Sequence, residues 1–391
     1  MSPTPLDLDA NATTRPLPEV VDTVAKHLRD LWGNPGSRHA LGRAARRVLE
    51  ASRESIAAIL GAEPDEVLFT SGGTEANNTA VFGLVRGNGG TIVLSPAEHP
   101  ATLEACRVLM RRGFALHRLP VDSQGRLVLD EHTGQKPTGC NPWASDTRLA
   151  AIILAHNETG VIQDVAPLVE RCREHNVPLH LDAVQAVGKI PVDFHALGAT
   201  TLSFGAHKFH GPRGIGGLLI RKGTRLTPLL YGGHQEQDRR AGTEAVPLIA
   251  GMAKALELWH ADRDRRTQHL TTLRDRLQGA LTERCAPVVV NSGEARRLPN
   301  TLSIAFPGLD GEALLVALDL AGVCCSLGST CASGSTEPAP ILVAMGAGSD
   351  VYRSSVRLSV SAANTLAEID AAVERIAEVV SRLRQSARPV L

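Results

Sequence analysis

The sequence predicts an α/β protein: a large domain with a mostly parallel mixed sheet flanked by helices, plus a smaller α+β domain. Three observations predict it. Between Glu66 and Ile220, short apolar runs alternate with helical stretches, the βαβα rhythm of a sheet covered on both faces. A long helical region then runs from near Val246 to Arg284, with room for one break, and reads as a domain connection. Beyond it lies a shorter mixture of strands and helices that closes with a helix from Leu366 to Arg384. A chain of 391 residues with 43% hydrophobic content can bury a sizeable core, and this length usually means two domains. The division expected is 15–258 for the large domain, and 1–14 with 259–391 for the small one.

The elements follow in order. Leu6 to Thr14 is a short extended opening. Pro18 to Leu31 reads as a helix, with apolar positions at Val20, Val21, Val24, Leu28 and Leu31. Gly33-Asn-Pro-Gly-Ser37 breaks it, and Arg43 to Leu60 is a second, amphipathic helix. Glu66 to Thr70 is a strand that runs through Ser71-Gly-Gly-Thr-Glu-Ala-Asn77 into a helix. Such a turn leaves backbone N–H groups free at the helix start, where phosphate binds well; an ordinary capped turn has the same spelling. Strands follow at Thr91–Ser95, Ala115–Leu119, Leu149–Leu154, Pro178–Leu181, Thr200–Phe204 and Gly217–Ile220, with helices at Pro100–Arg112 and Val165–His175. Residues 130–146 read as an irregular loop. In the smaller domain, strands are expected at Val288–Asn291, Thr301–Phe306, Val323–Ser326 and Val356–Val360, with a helix at Gly311–Leu320.

Composition excludes several function classes. Lys+Arg and Asp+Glu are both 41, so no global basic field draws the chain to nucleic acid or to an anionic membrane. No apolar run is long enough to span a bilayer, and Met1 to Asp9 lacks the basic and apolar regions of a secretory signal. Seven cysteines, an odd number in a long chain, argue against a disulfide scaffold and for a reducing cytoplasm. None of them is arranged with zinc-like spacing.

The chemistry centres on Leu202 to Gly217, where Lys208 stands between an apolar strand and a run holding Gly211, Gly214, Gly216 and Gly217. A lysine held still and partly desolvated there suits Schiff-base formation; alone, it could equally be a surface lysine on a turn. Asp182, His99 and Asn157 each fall where a strand meets a loop, the place where open α/β sheets bind ligands. Singly, each could be a cap or a loop residue. Together with the Ser71–Asn77 turn they supply a phosphate seat, an imine-forming lysine and a carboxylate for a ring nitrogen. Those are the parts a pyridoxal phosphate enzyme needs.

The chain resembles the cysteine desulfurases, class V aminotransferase relatives of the fold-type I pyridoxal phosphate enzymes. The likeness is greatest to the group serving nitrogenase and iron–sulfur cluster assembly. It is carried by Leu8-Asp-Ala-Asn-Ala-Thr-Thr14, Gly33-Asn-Pro-Gly-Ser37, Phe69 to Asn77, Glu98-His-Pro-Ala101 and His156-Asn-Glu-Thr-Gly160, in that order. Asp182 to Gly188, Ala206 to Gly216, Arg240-Ala-Gly-Thr-Glu244 and Gly328-Ser-Thr-Cys331 continue it. The resemblance implies that Lys208 forms the Schiff base and shuttles a proton, with His99 stacked on the pyridine ring and assisting acid–base steps. It implies Asp182 on the ring nitrogen, Gln185 on the ring hydroxyl, and Gly73, Thr74 and His207 on the phosphate. Thr243 is then expected to reach the phosphate from the second subunit of a homodimer. Asn157 and Arg357, with Asn34 at the entrance, would hold the substrate carboxylate; without the resemblance, Arg357 reads as a surface arginine. Cys331, in a run of small residues, would be the thiolate that takes sulfur from L-cysteine as a persulfide and hands it to an acceptor protein. No resident metal is implied, although Cys331 could transiently ligate an iron–sulfur cluster.

Some positions depart from the family pattern or stand aside from it. Gly205 stands where the family usually has a serine bonding the phosphate, which predicts a looser cofactor. Thr200 stands where an aspartate is common. Cys106, Cys172 and Cys285 fit buried apolar positions, whereas Cys324 and Cys325 are adjacent in an expected strand, with a relay role open to Cys325. A selenocysteine lyase or other lyase on the same scaffold is the rival within enzymes, and a non-catalytic sulfur carrier is the rival outside them. Ser71-Gly-Gly-Thr is not the nicotinamide fingerprint Gly-x-Gly-x-x-Gly.

Overall fold

The computed structural model describes residues 5–129, 143–327 and 339–386. In chain order the strands are β1 (Leu6–Asp7), β2 (Val67–Thr70), β3 (Gly90–Leu94), β4 (Phe114–Arg118), β5 (Thr147–Ile153), β6 (Leu179–Asp182), β7 (Thr201–Gly205) and β8 (Gly216–Ile220). Then come β9 (Val289–Val290), β10 (Thr301–Ala305), β11 (Val323–Cys324), β12 (Ser326–Leu327) and β13 (Ser355–Ser359). The helices are α1 (Pro18–Asp30), α2 (Ala40–Leu60), α3 (Gly73–Leu84), α4 (Pro100–Met110), α5 (Ala166–Glu174) and α6 (Phe194–Leu197). They continue with α7 (Val246–Ala261), α8 (Arg263–Arg284), α9 (Gly311–Leu320), α10 (Pro340–Ala344), α11 (Ser349–Tyr352) and α12 (Leu366–Ser386).

A seven-stranded sheet in the order β2-β8-β7-β6-β5-β3-β4 forms the centre of the molecule. Only β8 runs against its neighbours, so the sheet is mixed but mostly parallel. β2, β6, β7 and β8 are buried along their whole length. That is why they spell continuous rather than alternating apolar runs: helices cover both faces. The helix α2 shows the local logic. Ala45, Leu49, Ile56 and Leu60 lie on one buried stripe, and Gly61, at φ 62, ends it in the left-handed conformation. The α7 helix packs against α1 and α2 and is apolar over most of its surface. By contrast the fully buried residues of α8 are Leu270, Leu273, Leu277 and Leu281, and much of its charged remainder faces solvent, although Arg266 and Arg274 are largely covered.

A four-stranded antiparallel sheet, β12-β13-β10-β9, packs with α8, α9 and α12 around a second apolar cluster. Leu6 and Leu8 belong to that cluster, because β1 pairs in parallel with β11. The opening of the chain is thus stitched to its far end, and Asp9 bridges to Ser359 beside it.

Several sequence expectations change. The helical region 246–284 is broken at Asp262, whose carboxylate pairs with Arg265 and Arg266. The expected strand Val323–Ser326 is two strands: β11 pairs with β1, β12 pairs with β13, and Cys325 is the residue at which the chain changes sheet. A continuous apolar run does not reveal a switch of partner, because both strands are buried. The short helices α6, α10 and α11 were too brief to show periodicity. Thr200 has a structural use. Its hydroxyl accepts the Leu179 N–H at 3.0 Å, tying the start of β6 to the approach to β7. Of the loop expected at 130–146, only 143–146 are described; there Trp143 is buried and stacks on His175 with centroids 6.2 Å apart.

Candidate active site

The carboxyl ends of β5 and β6, the turn after β7 and the start of α3 open on one cavity of about 460 Å³, within the range of small-molecule sites. Gly73, Thr74, His99, Asn157, Asp182, Gln185, His207, Lys208 and Arg357 all line it. The structure therefore brings together residues spread from position 73 to position 357. Gly205 lies directly behind, and a Cβ built on it would sit 3.4 Å from the Gly73 nitrogen. Asn34 and Thr243 do not line the cavity. The Asn34 side chain accepts the Gly36 N–H at 2.8 Å, and Thr243 is exposed. Cys331 and Cys140 lie outside the described residues.

Asp182 ends β6 almost fully buried. Its Oδ2 accepts from Asn77 Nδ2 at 2.7 Å and its Oδ1 from the Val184 N–H at 3.0 Å. Asn77, on α3, is itself held: its Oδ1 meets His180 Nε2 at 2.8 Å and accepts from Ser203 Oγ at 2.5 Å. Because that oxygen is an acceptor, His180 Nε2 carries the proton. Burial pushes the His180 imidazole down to about 4, so the ring is neutral. The chain from His180 to Asp182 holds a carboxylate at the cavity floor with its orientation set by a neutral network.

Lys208 Nζ donates to the carbonyl oxygens of Asn11 and Ala12 at 2.6 and 2.8 Å. Burial, with Arg357 adding to it, lowers its amine to about 8. An amine so lowered is a usable nucleophile near neutral pH. A second lysine, Lys189, is fully enclosed: it donates to Asn11 Oδ1 at 2.7 Å and to Gln185 Oε1 at 2.5 Å. Burial and then the neighbouring Lys208 and Arg357 charges hold it well below the usual lysine range. Gln185 also donates to the Asn11 carbonyl at 2.9 Å, so Asn11 gathers three side chains of the site.

His99 caps α4 through Nδ1, which accepts the Ala101 N–H at 3.1 Å; this leaves the neutral ring's proton on Nε2. Burial lowers the ring, Asp182 opposes that, and Lys208 reinforces it. His207 is lowered to about 4 by burial and by Lys208, and its Nδ1 lies 3.2 Å from Thr13 Oγ1. Among the described residues no side chain caps the start of α3, and Gly72 before it has φ 151, a conformation suited to glycine. A helix start left open beside a cavity is an anion seat.

Arg357, on β13, is reached from two sides. Its Nη2 donates to Asp9 Oδ1 at 2.7 Å, and its Nη1 to Glu158 Oε1 at 3.0 Å and to the Asn157 carbonyl at 3.3 Å. Asn157 Nδ2 donates to the same Glu158 Oε1 at 2.8 Å.

The aminotransferase class-V family model matches residues 7–372. The chain belongs to the class-V aminotransferase family. Among its relatives, a protein named cysteine desulfurase from Sinorhizobium fredii is 42% identical over 390 residues, covering 99% of each chain. One of the same name from Nostoc sp. is 41% identical over 379 residues, 96% of this chain and 93% of that protein. A solved structure titled NifS-like protein superposes with a TM-score of 0.87 at 35% identity, covering 97% of this chain and 100% of that one. Enzymes of the class-V family use pyridoxal 5′-phosphate. The residues present fit that group: an uncapped helix start for its phosphate, a lowered amine for its aldehyde and a fixed carboxylate for its ring nitrogen.

Sequence reasoning passed over Asp9, Asn11, Asn77, Glu158 and Lys189, although each lies in or beside a quoted motif. Most of them stand among other polar residues, so no local signal sets them apart. Their partners are more than a hundred positions away in several cases. Cys106, Cys172 and Cys285 are buried as expected. Cys325 is half-buried, and burial raises its thiol to about 12, which leaves it a poor nucleophile for a relay.

Proposed function

We propose that this protein is a pyridoxal phosphate-dependent cysteine desulfurase that converts L-cysteine to L-alanine and carries the sulfur on Cys331 as a persulfide. The observation that carries this reading is the 42% identity over 390 residues to a protein of that name, in a chain whose Lys208, Asp182 and His99 converge on one cavity.

Gly73, Thr74 and His207 would hold the phosphate, Asp182 the ring nitrogen, Gln185 the ring hydroxyl, and His99 the ring face. When bound, the group supplies an electron sink conjugated to the substrate's Cα. Lys208 removes and returns a proton at that carbon. Arg357 and Asn157 orient the substrate carboxylate. The Cys331 thiolate attacks the substrate sulfur. A bond forms between the two sulfurs while the substrate Cβ–S bond breaks. The electron pair stays with the carbon skeleton, which takes up protons and leaves as L-alanine. The persulfide then passes to an acceptor protein, for which iron–sulfur cluster assembly is the favoured use.

Thr243, exposed in one chain, would complete the phosphate seat of a second copy, and Asn34 would stand at the entrance. Exposed Trp32 (73%) and Tyr231 (79%) support a homodimer. The large domain would be 15–258 and the small one 1–14 with 259–391; Leu6 and Leu8 packing with residues from Leu270 onward supports that division.

The test is turnover of L-cysteine with alanine and sulfide both quantified, alongside mass spectrometry of the protein. A gain of one sulfur on Cys331, lost in Cys331→Ala together with sulfide release, is the expected result. Full activity in Cys331→Ala would end the persulfide mechanism.

A further inference from the structure

Two side chains expected to hold the substrate carboxylate already hold one belonging to the protein. Arg357 Nη1 and Asn157 Nδ2 converge on a single atom, Glu158 Oε1, at 3.0 and 2.8 Å. Glu158 lines the cavity, and its side chain is only 12% exposed. Its second oxygen, Oε2, is buried and has no hydrogen-bond partner among the described residues. The other carboxylate on Arg357, Asp9, is anchored independently, because its Oδ1 also accepts from Ser326 Oγ at 2.9 Å.

An arriving substrate carboxylate would be the third anion around one guanidinium. Three carboxylates on one arginine in a largely dry site is strongly unfavourable unless one leaves or takes a proton. Asp9 has a second donor to stay for. Glu158 has a bare buried oxygen on which a proton can sit.

We propose that Glu158 is a placeholder for the substrate carboxylate, which gives up Arg357 and Asn157 when substrate binds and takes a proton from solvent as it does so. It is a positioning residue that sets substrate affinity through Arg357. The groups facing it agree with this role. Arg357 on β13 and Lys208 after β7 favour its charged form, Asp9 opposes it, and burial, the largest influence, raises its carboxyl. His156, in the same turn, accepts the Glu158 N–H through Nδ1 at 3.2 Å; burial holds that ring down to about 4, so it stays neutral between pH 6 and 9.

The inference rests on the desulfurase reading, and the experiment separates the two. With the holoenzyme, KM and kcat for L-cysteine are measured for the wild type and for Glu158→Gln. Propionate, a carboxylate without an amine, is used as a competitive inhibitor from pH 6 to 9. In the wild type, propionate inhibition should weaken as pH rises, approaching about tenfold per unit where Glu158 is ionised. In Glu158→Gln that dependence should flatten, and KM should fall several-fold while kcat changes less. Propionate inhibition that does not vary with pH in the wild type overturns the proposal even if the variant does not fold. So does a KM that is unchanged or raised in a folded Glu158→Gln. A wild type that releases no alanine from L-cysteine refutes the desulfurase reading instead.

Discussion

Asn77 donates its amide to Asp182 at 2.7 Å while its oxygen is fixed by His180 and Ser203. The carboxylate assigned to the cofactor's ring nitrogen is therefore aimed by α3, the same helix whose start is the proposed phosphate seat. Asn77→Ala should weaken cofactor binding. A hydrogen bond to a charged group contributes about 1.5–3 kcal/mol, so a loss of roughly tenfold or more in affinity is expected. Titration of the cofactor-free variant by absorbance measures it, and an unchanged Kd would mean that Asp182 needs no such aim.

Capture of the cofactor should depend on pH through Lys208. Only the neutral amine attacks an aldehyde, and burial places this amine at about 8. The rate at which the cofactor-free protein gains bound-cofactor absorbance should rise from pH 6, pass its midpoint near 8, and level off above. A rate still climbing steeply at pH 10 would show an ordinary lysine.

Glu98 links stability to pH. Its Oε1 accepts N–H groups from Ser95 and Ile153, its Oε2 is buried without a partner among the described residues, and burial, with Asp182 nearby, raises its carboxyl to about 8. The folded state thus holds a proton that the unfolded chain releases at ordinary carboxylate pH. The associated stability is full below about 4.5 and is lost as pH rises through about 8. Glu98→Gln, which stays neutral, should melt higher than the wild type at pH 9 and about level with it at pH 5. The reverse ordering would place a charged, satisfied Glu98 in the fold.

Gly205→Ser should tighten the cofactor several-fold. The backbone there is ordinary, at φ −139, and a Cβ meets nothing closer than 3.4 Å. A serine hydroxyl therefore enters without strain beside the α3 start. If Kd does not move, the missing hydroxyl is immaterial to this site.

Arg53 and Glu236 form a buried pair at 2.6 Å, and Glu236 also accepts the Phe69 N–H of β2. Glu236→Ala leaves an arginine buried without its main counter-charge, which typically costs about 3–5 kcal/mol. Chemical denaturation should show a loss of that order, and a loss below about 1 kcal/mol would mean water replaces the carboxylate.

What the sequence determined by itself was local. Continuous apolar runs marked the central strands, amphipathic spacing marked α2, and the motifs around Lys208, Asp182, His99 and the Ser71–Asn77 turn named the chemistry. Each of those signals is written within a few residues, since strand burial, turn conformation and helix starts are short-range properties. Tertiary structure alone decided the rest. It split Val323–Leu327 between two sheets, joined Leu6 to Val323, placed Asn77 against Asp182 and His180, and seated Glu158 on Arg357. Those relationships join residues up to hundreds of positions apart. They exist only because strand order brings the elements to one end of the sheet, and no local pattern encodes strand order.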